Sequence, residues 1–198
     1  RSAEDAWIEA CEIGTPVGIK PQDSNQGKGV TVNLTDAEQV KSAFMIASEF
    51  SSNVLVERYL PGYDYRMLVV GNKLVAAARR DPPQVTGDGK HNIRQLVEQI
   101  NRDPMRGEGH VTSLTKIHLD EISLAHLAAQ GLTADSIPAK GVRVILRNNA
   151  NLSTGGTATD VTDDVHPELA ARVVAAAQVV GLDICGIDVV CDNVMKSL

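Results

Sequence analysis

Short runs of Val, Ile and Leu recur along the chain and alternate with longer Ala- and Leu-rich stretches of helical period. Val54-Leu55-Val56, Met67-Leu68-Val69-Val70 and Val189-Val190 are of the first kind, and the stretch 167–180 is of the second. That alternation commits the chain to an α/β (α+β) architecture. The core must be aliphatic, because aromatics are 3% of the 198 residues while hydrophobic residues reach 43%. A hydrophobic share of this size excludes a disordered chain, and the length suffices for one large domain or two small lobes. The formal net charge of −6 argues against nucleic acid as a partner. No apolar run approaches the ~20 residues that span a membrane, and no signal peptide is visible, so a cytoplasmic protein is expected. Cys11, Cys185 and Cys191 are odd in number and sit in apolar contexts, which predicts buried free thiols rather than a disulfide framework.

The order of elements follows from local signals. Ser2 caps a helix that ends at Gly14. Strands are expected at 16–20, 30–33 and 53–59. Between the last two, Thr35-Asp36-Ala37-Glu38 reads as a capping box before a helix with Val40, Ala43, Phe44 and Ala47 on one face. A hairpin around Gly71-Asn72 joins strands at 64–70 and 73–80. Residues 81–140 read as a long insertion with two helices, and insertions of that length are usually lids or binding loops. The sheet is expected to resume at 142–147, and 148–159 reads as a polar, Gly-rich loop. Pro167 starts a helix that Gly181 ends. Residues 182–191 read as a buried-type strand. The expected domains are a small lobe over 1–62, with a glycine-rich loop, and a core sheet over 63–198, with the insertion at about 81–140.

Four groups of residues suggest chemistry. In Val17-Gly18-Ile19-Lys20-Pro21, alternation points Lys20 away from the Val17 and Ile19 face. The following loop, Gln26-Gly27-Lys28-Gly29, places a second lysine between glycines, a composition that suits a polyphosphate. It equally fits two exposed lysines and a turn, and the GxxxxGK[ST] spacing is absent. Glu57-Arg58-Tyr59-Leu60, with Asp64 and Arg66 beyond a Pro-Gly turn, could meet a purine and its ribose, or be an ordinary solvated strand end. Arg79-Arg80, Arg147, Asn151 and Ser153-Thr154-Gly155-Gly156 lie at expected strand ends or in the polar loop. Arginine there matches carboxylate or phosphate oxygens, or is surface charge. Asp188, opposite Ile187 and Val189 in an apolar strand, is costly to bury unless it is paired or binds a metal, with magnesium the ion that carboxylates bridge to phosphates. The histidines lack zinc spacing; His91, after Gly87-Asp88-Gly89, lies in the insertion.

Taken in order, these segments resemble the ATP-grasp superfamily of carboxylate–amine ligases. KPQDSNQGKGVTVNLT, VLVERYLPGYDYRMLVVG, RRDPPQVTGDGKHNI, LRNNANLSTGGTATDVTDDVHP and GLDICGIDVVC are similar to the central ATP-grasp domain of the cyanophycin synthetases, over essentially the whole chain. The resemblance implies two α/β lobes with a large helical lid and ATP between them. It implies phosphate contacts from Lys20 and from Gln26, Gly27, Lys28 and Gly29. Glu57, Arg58 and Leu60 would line the adenine, and Asp64 would hold the ribose. Arg66, Arg79, His91, Arg147 and Asn151 would surround the reacting groups, and Asp188 would bind Mg2+. The implied substrates are ATP, aspartate and a cyanophycin or poly-aspartate primer, with no nucleic acid and no membrane, in a homo-oligomeric parent enzyme of three domains. The family's Glu-x-Asn magnesium motif is not in this chain. Glutathione synthetase-type and RimK-like ligases share several features, and an ATP-binding module without catalysis would share the same residues.

Overall fold

The computed structural model describes residues 2–23, 28–109 and 111–196. The chain divides into two compact units, Arg1–Pro61 and Gly62–Leu198.

The first unit has the expected order: α1 (Ala3–Ile13), β1 (Val17–Pro21), β2 (Thr31–Leu34), α2 (Ala37–Ser48) and β3 (Val54–Arg58). Its three strands lie in the order β2-β1-β3, all antiparallel. Small residues on the helices, Ala6, Ala10, Ala43 and Ala47, let them close over Val17, Ile19 and Leu34, with Val40 of α2 in the same core. Ile19 is fully buried, which contributes about 1.5–3 kcal/mol relative to leaving it in water. The start of α2 lies one residue later than the capping-box reading. Asp36, not Thr35, is the cap and accepts from the Gln39 N–H at 2.9 Å, while the Gln39 side chain accepts from the Thr35 N–H. Asp outcompetes Thr at this position because its carboxylate also favours the positive helix end.

The second unit is built on an antiparallel sheet of β4 (Tyr63–Val70), β5 (Lys73–Asp81), β10 (Thr157–Asp160) and β11 (Ile184–Cys191), in the order β10-β5-β4-β11. One face carries Tyr65, Met67, Val69 and Ala77 against Leu169, Val173 and Ala177 of α5 (Pro167–Val180). Pro167 at the first turn and Gly181 at the end bound that helix as expected.

The insertion holds β6 (Gln84–Thr86), α3 (Ile93–Ile100), β7 (Arg106–Gly107), β8 (Leu114–Thr115), α4 (Glu121–Ala129) and β9 (Arg143–Ile145). It is not a loop but a packed body with its own core of Val85, Ile93, Leu96, Val97, Ile117, Leu127, Val144 and Leu146.

Three expectations for this unit are corrected. The strand at 142–147 does not join the main sheet: among the described residues β9 pairs only with β6, because Val144 and Leu146 are drawn into the insertion's core. The main sheet instead takes β10 from within 148–159, the segment read as loop. This strand, Thr-Ala-Thr-Asp, is largely exposed at the sheet edge and has no apolar alternation to betray it. Finally, the strand at 182–191 is an exposed edge rather than a buried one; Ile184 and Val190 are open to solvent. Its continuous apolar run reflects one face on α5 and an uncovered opposite face. The cysteines also diverge from expectation, since only Cys191 is buried and Cys11 is exposed.

Candidate functional site

In the first unit, alternation on β1 buries Val17 and Ile19 and turns Lys20 the other way. Lys20 Nζ meets Glu57 Oε2 of the neighbouring β3 at 2.7 Å. Both side chains are about half exposed, so the pair is worth well under about 1 kcal/mol and yields readily to a stronger anion. Arg58, next in sequence, faces the opposite way, and its Nη2 donates to the Ile13 carbonyl at 2.8 Å, closing the open end of α1. The Arg58 side chain thus has a structural partner, which leaves its backbone and the exposed Leu60 side chain as what this strand exit offers a ligand. Lys28 is exposed. Gly29 has φ 69°, and a Cβ there would meet Phe50 and Pro21 at 2.7 and 2.8 Å, so packing as well as backbone conformation requires glycine. Gln26 and Gly27 lie outside the described residues.

In the second unit, the face of the main sheet opposite α5 carries a row of alternating charge. Asp64 pairs in register with Arg80 across β4 and β5, and Arg66 with Asp188 across β4 and β11. Arg80 donates to Asp64 Oδ1 from Nε at 2.9 Å and from Nη2 at 2.6 Å, and Nη2 also reaches Asp188 Oδ1 at 2.9 Å. Arg66 Nη1 donates to the same Asp188 oxygen at 3.0 Å. The Arg66 guanidinium lies across β11 only because residue 186 is glycine; a Cβ there would collide with it. Asp188 is on the face opposite Ile187 and Val189, as its alternation predicts, but it is half exposed. Its premise as a buried carboxylate is therefore replaced by that of a carboxylate shared between two guanidiniums.

A cavity of about 410 Å3 opens beside this row, lined by Arg66, Arg80, Asn151, Ser153 and Ala158. The loop that brings Asn151 there is held by its own carbonyl, which accepts from the Thr154 and Gly156 N–H groups at 3.1 Å each. The Asn151 side chain makes no capping bond. Gly156 packs so closely that a Cβ would stand 2.8 Å from the Asp81 carbonyl oxygen.

Three expected residues lie elsewhere. Arg79 is on the α5 side of the sheet, its guanidinium 5.1 Å from the Tyr63 ring centre and its Nε 3.1 Å from Asp81. Arg147 is buried and pairs with Asp120, the cap of α4. Burial raises the Asp120 carboxyl, but Ser123 and Arg147 outweigh it and hold the group below its ordinary value. His91 Nδ1 is 2.6 Å from Asp88 Oδ2. Asp88 is held well below the usual carboxylate range by the His91 backbone N–H, then the His91 ring and the Lys90 N–H. Gly87-Asp88-Gly89 is thus a turn that fastens the insertion: the Gly87 N–H donates to Val142 and the Gly141 N–H to Gly87, both at 2.8 Å.

Arg80 is the site residue that sequence reading passed over in favour of Arg79. As oxygen donors on a half-open surface, Asp64 and Asp188 suit magnesium chemically. Among the described residues, however, no group of three or more His, Cys, Asp or Glu is placed to hold a metal. Nor is any helix among them long and apolar enough to cross a membrane.

The chain is 47% identical to the cyanophycin synthetase of Trichormus variabilis, over 98% of its own length and 22% of that protein's. It is 40% identical to the bifunctional glutathione biosynthesis protein of Clostridium perfringens, over 89% of this chain and 23% of the relative. It therefore spans about a fifth of the length of these relatives. The crystal structure of a bifunctional glutathione synthetase from Pasteurella multocida superposes with a TM-score of 0.63 at 38% identity, covering 98% of this chain and 27% of that one. The model of the RimK-like ATP-grasp domain matches residues 1–105, more than half of the chain, and the chain belongs to that ATP-grasp family.

Proposed function

We propose that this chain is the ATP-binding ligase core of an enzyme that forms amide bonds, and that its reaction is the addition of aspartate to a poly-aspartate primer of the cyanophycin type. The γ-phosphoryl group of ATP passes to a substrate carboxylate, giving ADP and an acyl phosphate. An amine then attacks the acyl carbon, phosphate leaves, and the nitrogen loses a proton. The observation that supports the reading most is the row Asp64–Arg80–Asp188–Arg66 beside the 410 Å3 cavity. Two guanidiniums at a cavity wall suit phosphoryl or carboxylate oxygens, whose developing charge fixed cations stabilise. The same guanidiniums, once engaged by ligand, release Asp188 from its two partners.

Magnesium, with Asp188 as its protein ligand, would neutralise charge between the phosphates. Lys20 and Lys28 would take phosphate oxygens, Lys20 leaving its exposed pairing with Glu57. Leu60 and the backbone of Glu57 and Arg58 would meet the adenine, and Asp64 the ribose. Asn151 would orient the reacting carboxylate. Arg147 would act only through Asp120, by holding α4 of the insertion, and the insertion with His91 would exclude water from the acyl phosphate.

A second reading, a glutathione synthetase-type ligase, is favoured by the 38% identity to the Pasteurella multocida protein. Phosphate release by the intact parent protein separates the two. Turnover with ATP, magnesium, aspartate and a poly-aspartate primer, and none with γ-glutamylcysteine and glycine, is the expected result. The reverse pattern overturns the proposal in favour of the second reading, and no phosphate release with either pair overturns both.

A further inference from the structure

A second cavity, of about 440 Å3, lies in the second unit where the insertion meets the main sheet; Thr86, Leu96, Gln99, Ile100, Arg106 and Thr157 are among its walls. It is distinct from the cavity beside Arg66. Thr157 lines this one and its neighbour Ala158 the other, as alternation along β10 requires.

The unusual member is Arg106. It is 8% exposed and, among the described residues, makes no ion pair. Its Nη1 donates to the Thr115 carbonyl at 2.7 Å and the Gly155 carbonyl at 3.0 Å. Asp103, the acid whose charge bears on it, accepts the Met105 N–H instead, at 2.9 Å. A guanidinium has five N–H donors, so Nε and Nη2 remain. No fully buried side-chain nitrogen or oxygen among the described residues lacks a partner, so those donors keep some exposure, and Arg106 is a wall of this cavity. Burial lowers the Arg106 pKa, with the Asp103 charge opposing it, and burying a cation is costly unless a counter-charge pairs with it. Gln99, Thr86 and Thr157 add polar side chains at the walls, while Leu96 and Ile100 form an apolar side.

We propose that this cavity binds a small carboxylate ligand, its carboxylate on the free edge of Arg106 and its aliphatic part against Leu96 and Ile100. An Arg edge with two parallel N–H groups matches a carboxylate bidentately. The apolar wall gives a carboxylic acid with a short carbon chain an advantage over inorganic phosphate. The proposal does not depend on ATP chemistry.

The test titrates the intact protein with succinate, without ATP, by calorimetry, in an Arg66→Ala background that removes one of the two guanidiniums of the first cavity; the response to Gln99→Glu assigns what binding remains. Saturable binding should persist there. Gln99→Glu, an exposed position that leaves the Arg106 bonds untouched, should weaken it about tenfold or more by offering Arg106 a competing carboxylate. Arg106→Gln should do the same if that variant folds; Gln99→Glu decides the matter if it does not. Phosphate should bind at least about tenfold more weakly than succinate. Absence of saturable succinate binding, or affinity unchanged by Gln99→Glu, overturns the site. Phosphate binding as tightly as succinate overturns the carboxylate assignment.

Discussion

Replacing Arg80 by Ala tests the site most directly, because the structure sets this residue apart from its neighbour Arg79. The Arg80 side chain is 17% exposed and its carboxylate partners 35% and 55%. Its bonds to Asp64 are charge-assisted, at about 1.5–3 kcal/mol for a buried example. Solvent at the two carboxylates reduces this toward the about 0–1 kcal/mol of surface pairs. Removal also leaves two carboxylates with only Arg66 between them. We expect a net destabilisation of about 1–2 kcal/mol, read as a fall in melting temperature of about 2–8 °C. If Arg80 holds phosphoryl oxygens, kcat/KM for ATP falls a further ten- to a hundredfold in a phosphate-release assay. Arg79→Ala, on the opposite face, should change kcat/KM for ATP less than about threefold. A larger loss in Arg79→Ala than in Arg80→Ala would refute the assignment of the open face as the nucleotide side.

Lys20→Ala should lower kcat/KM for ATP about ten- to a hundredfold while leaving the melting temperature nearly unchanged, since its pairing with Glu57 is exposed; wild-type kinetics would remove its phosphate role. Asp188→Asn should weaken magnesium-dependent ATP binding in calorimetry and leave magnesium-free binding less affected; equal effects with and without the ion would make Asp188 a positioning group for Arg66 and Arg80. Because the folded Asp120 carboxyl is depressed, its contribution to stability is present above the unfolded value and lost as pH falls through the folded one. The Asp120 side chain is 43% exposed, so solvent screening limits the cost of Asp120→Asn to about 1 kcal/mol near pH 7, with the gap to wild type shrinking in acid, as denaturant melts between about pH 7 and 3 would reveal. Ile19→Ala should cost about 2–5 kcal/mol in the same melts.

The first unit was legible because its signals are local. Ser2 and Asp36 cap helices through bonds to residues three positions on, and the apolar stripe of α2 maps onto one core. The second unit was legible where a turn, a cap or a proline fixes an element, as at Gly71-Asn72 and Pro167. It was not where pairing is long-range. β10 is Thr-Ala-Thr-Asp, a segment whose strand character comes entirely from the neighbouring β5, with which residues 157–160 pair against 78–81. Conversely, the apolar run at 142–147 belongs to a sheet, but to the small one inside the insertion. Sequence composition marks a residue as apolar without saying which of two cores will bury it.

The choice between Arg79 and Arg80 shows how much can turn on one residue of register. A two-residue turn at Gly71-Asn72 pairs Val70 with Lys73 and Val69 with Leu74. Extended without interruption, that register would set Arg79 opposite Asp64. The pairing does not run uninterrupted: Leu68 faces Ala76, so Val75 is an extra residue on β5 and every later pair shifts by one. A bulge of this kind turns each following side chain to the other face of the sheet. Arg80 thereby joins Asp64 and Asp188, and Arg79 is sent to Tyr63 and Asp81. Nothing in Lys73-Leu74-Val75-Ala76-Ala77 announces the bulge, since Leu, Val and Ala tolerate either face. What settles it is charge and packing beyond the hairpin: with the shift, Ala77 is buried against α5 and the four charged residues share one open face. Deleting Val75 should leave a regular ladder that keeps Arg80 opposite Asp64 and Ala77 in the core, because every pair from Leu68–Ala76 onward already follows that register. Only a hairpin that kept Val75 and lost the bulge would set Arg79 opposite Asp64. The site's guanidinium is therefore selected by the irregularity in the ladder rather than by its position in the Arg-Arg pair.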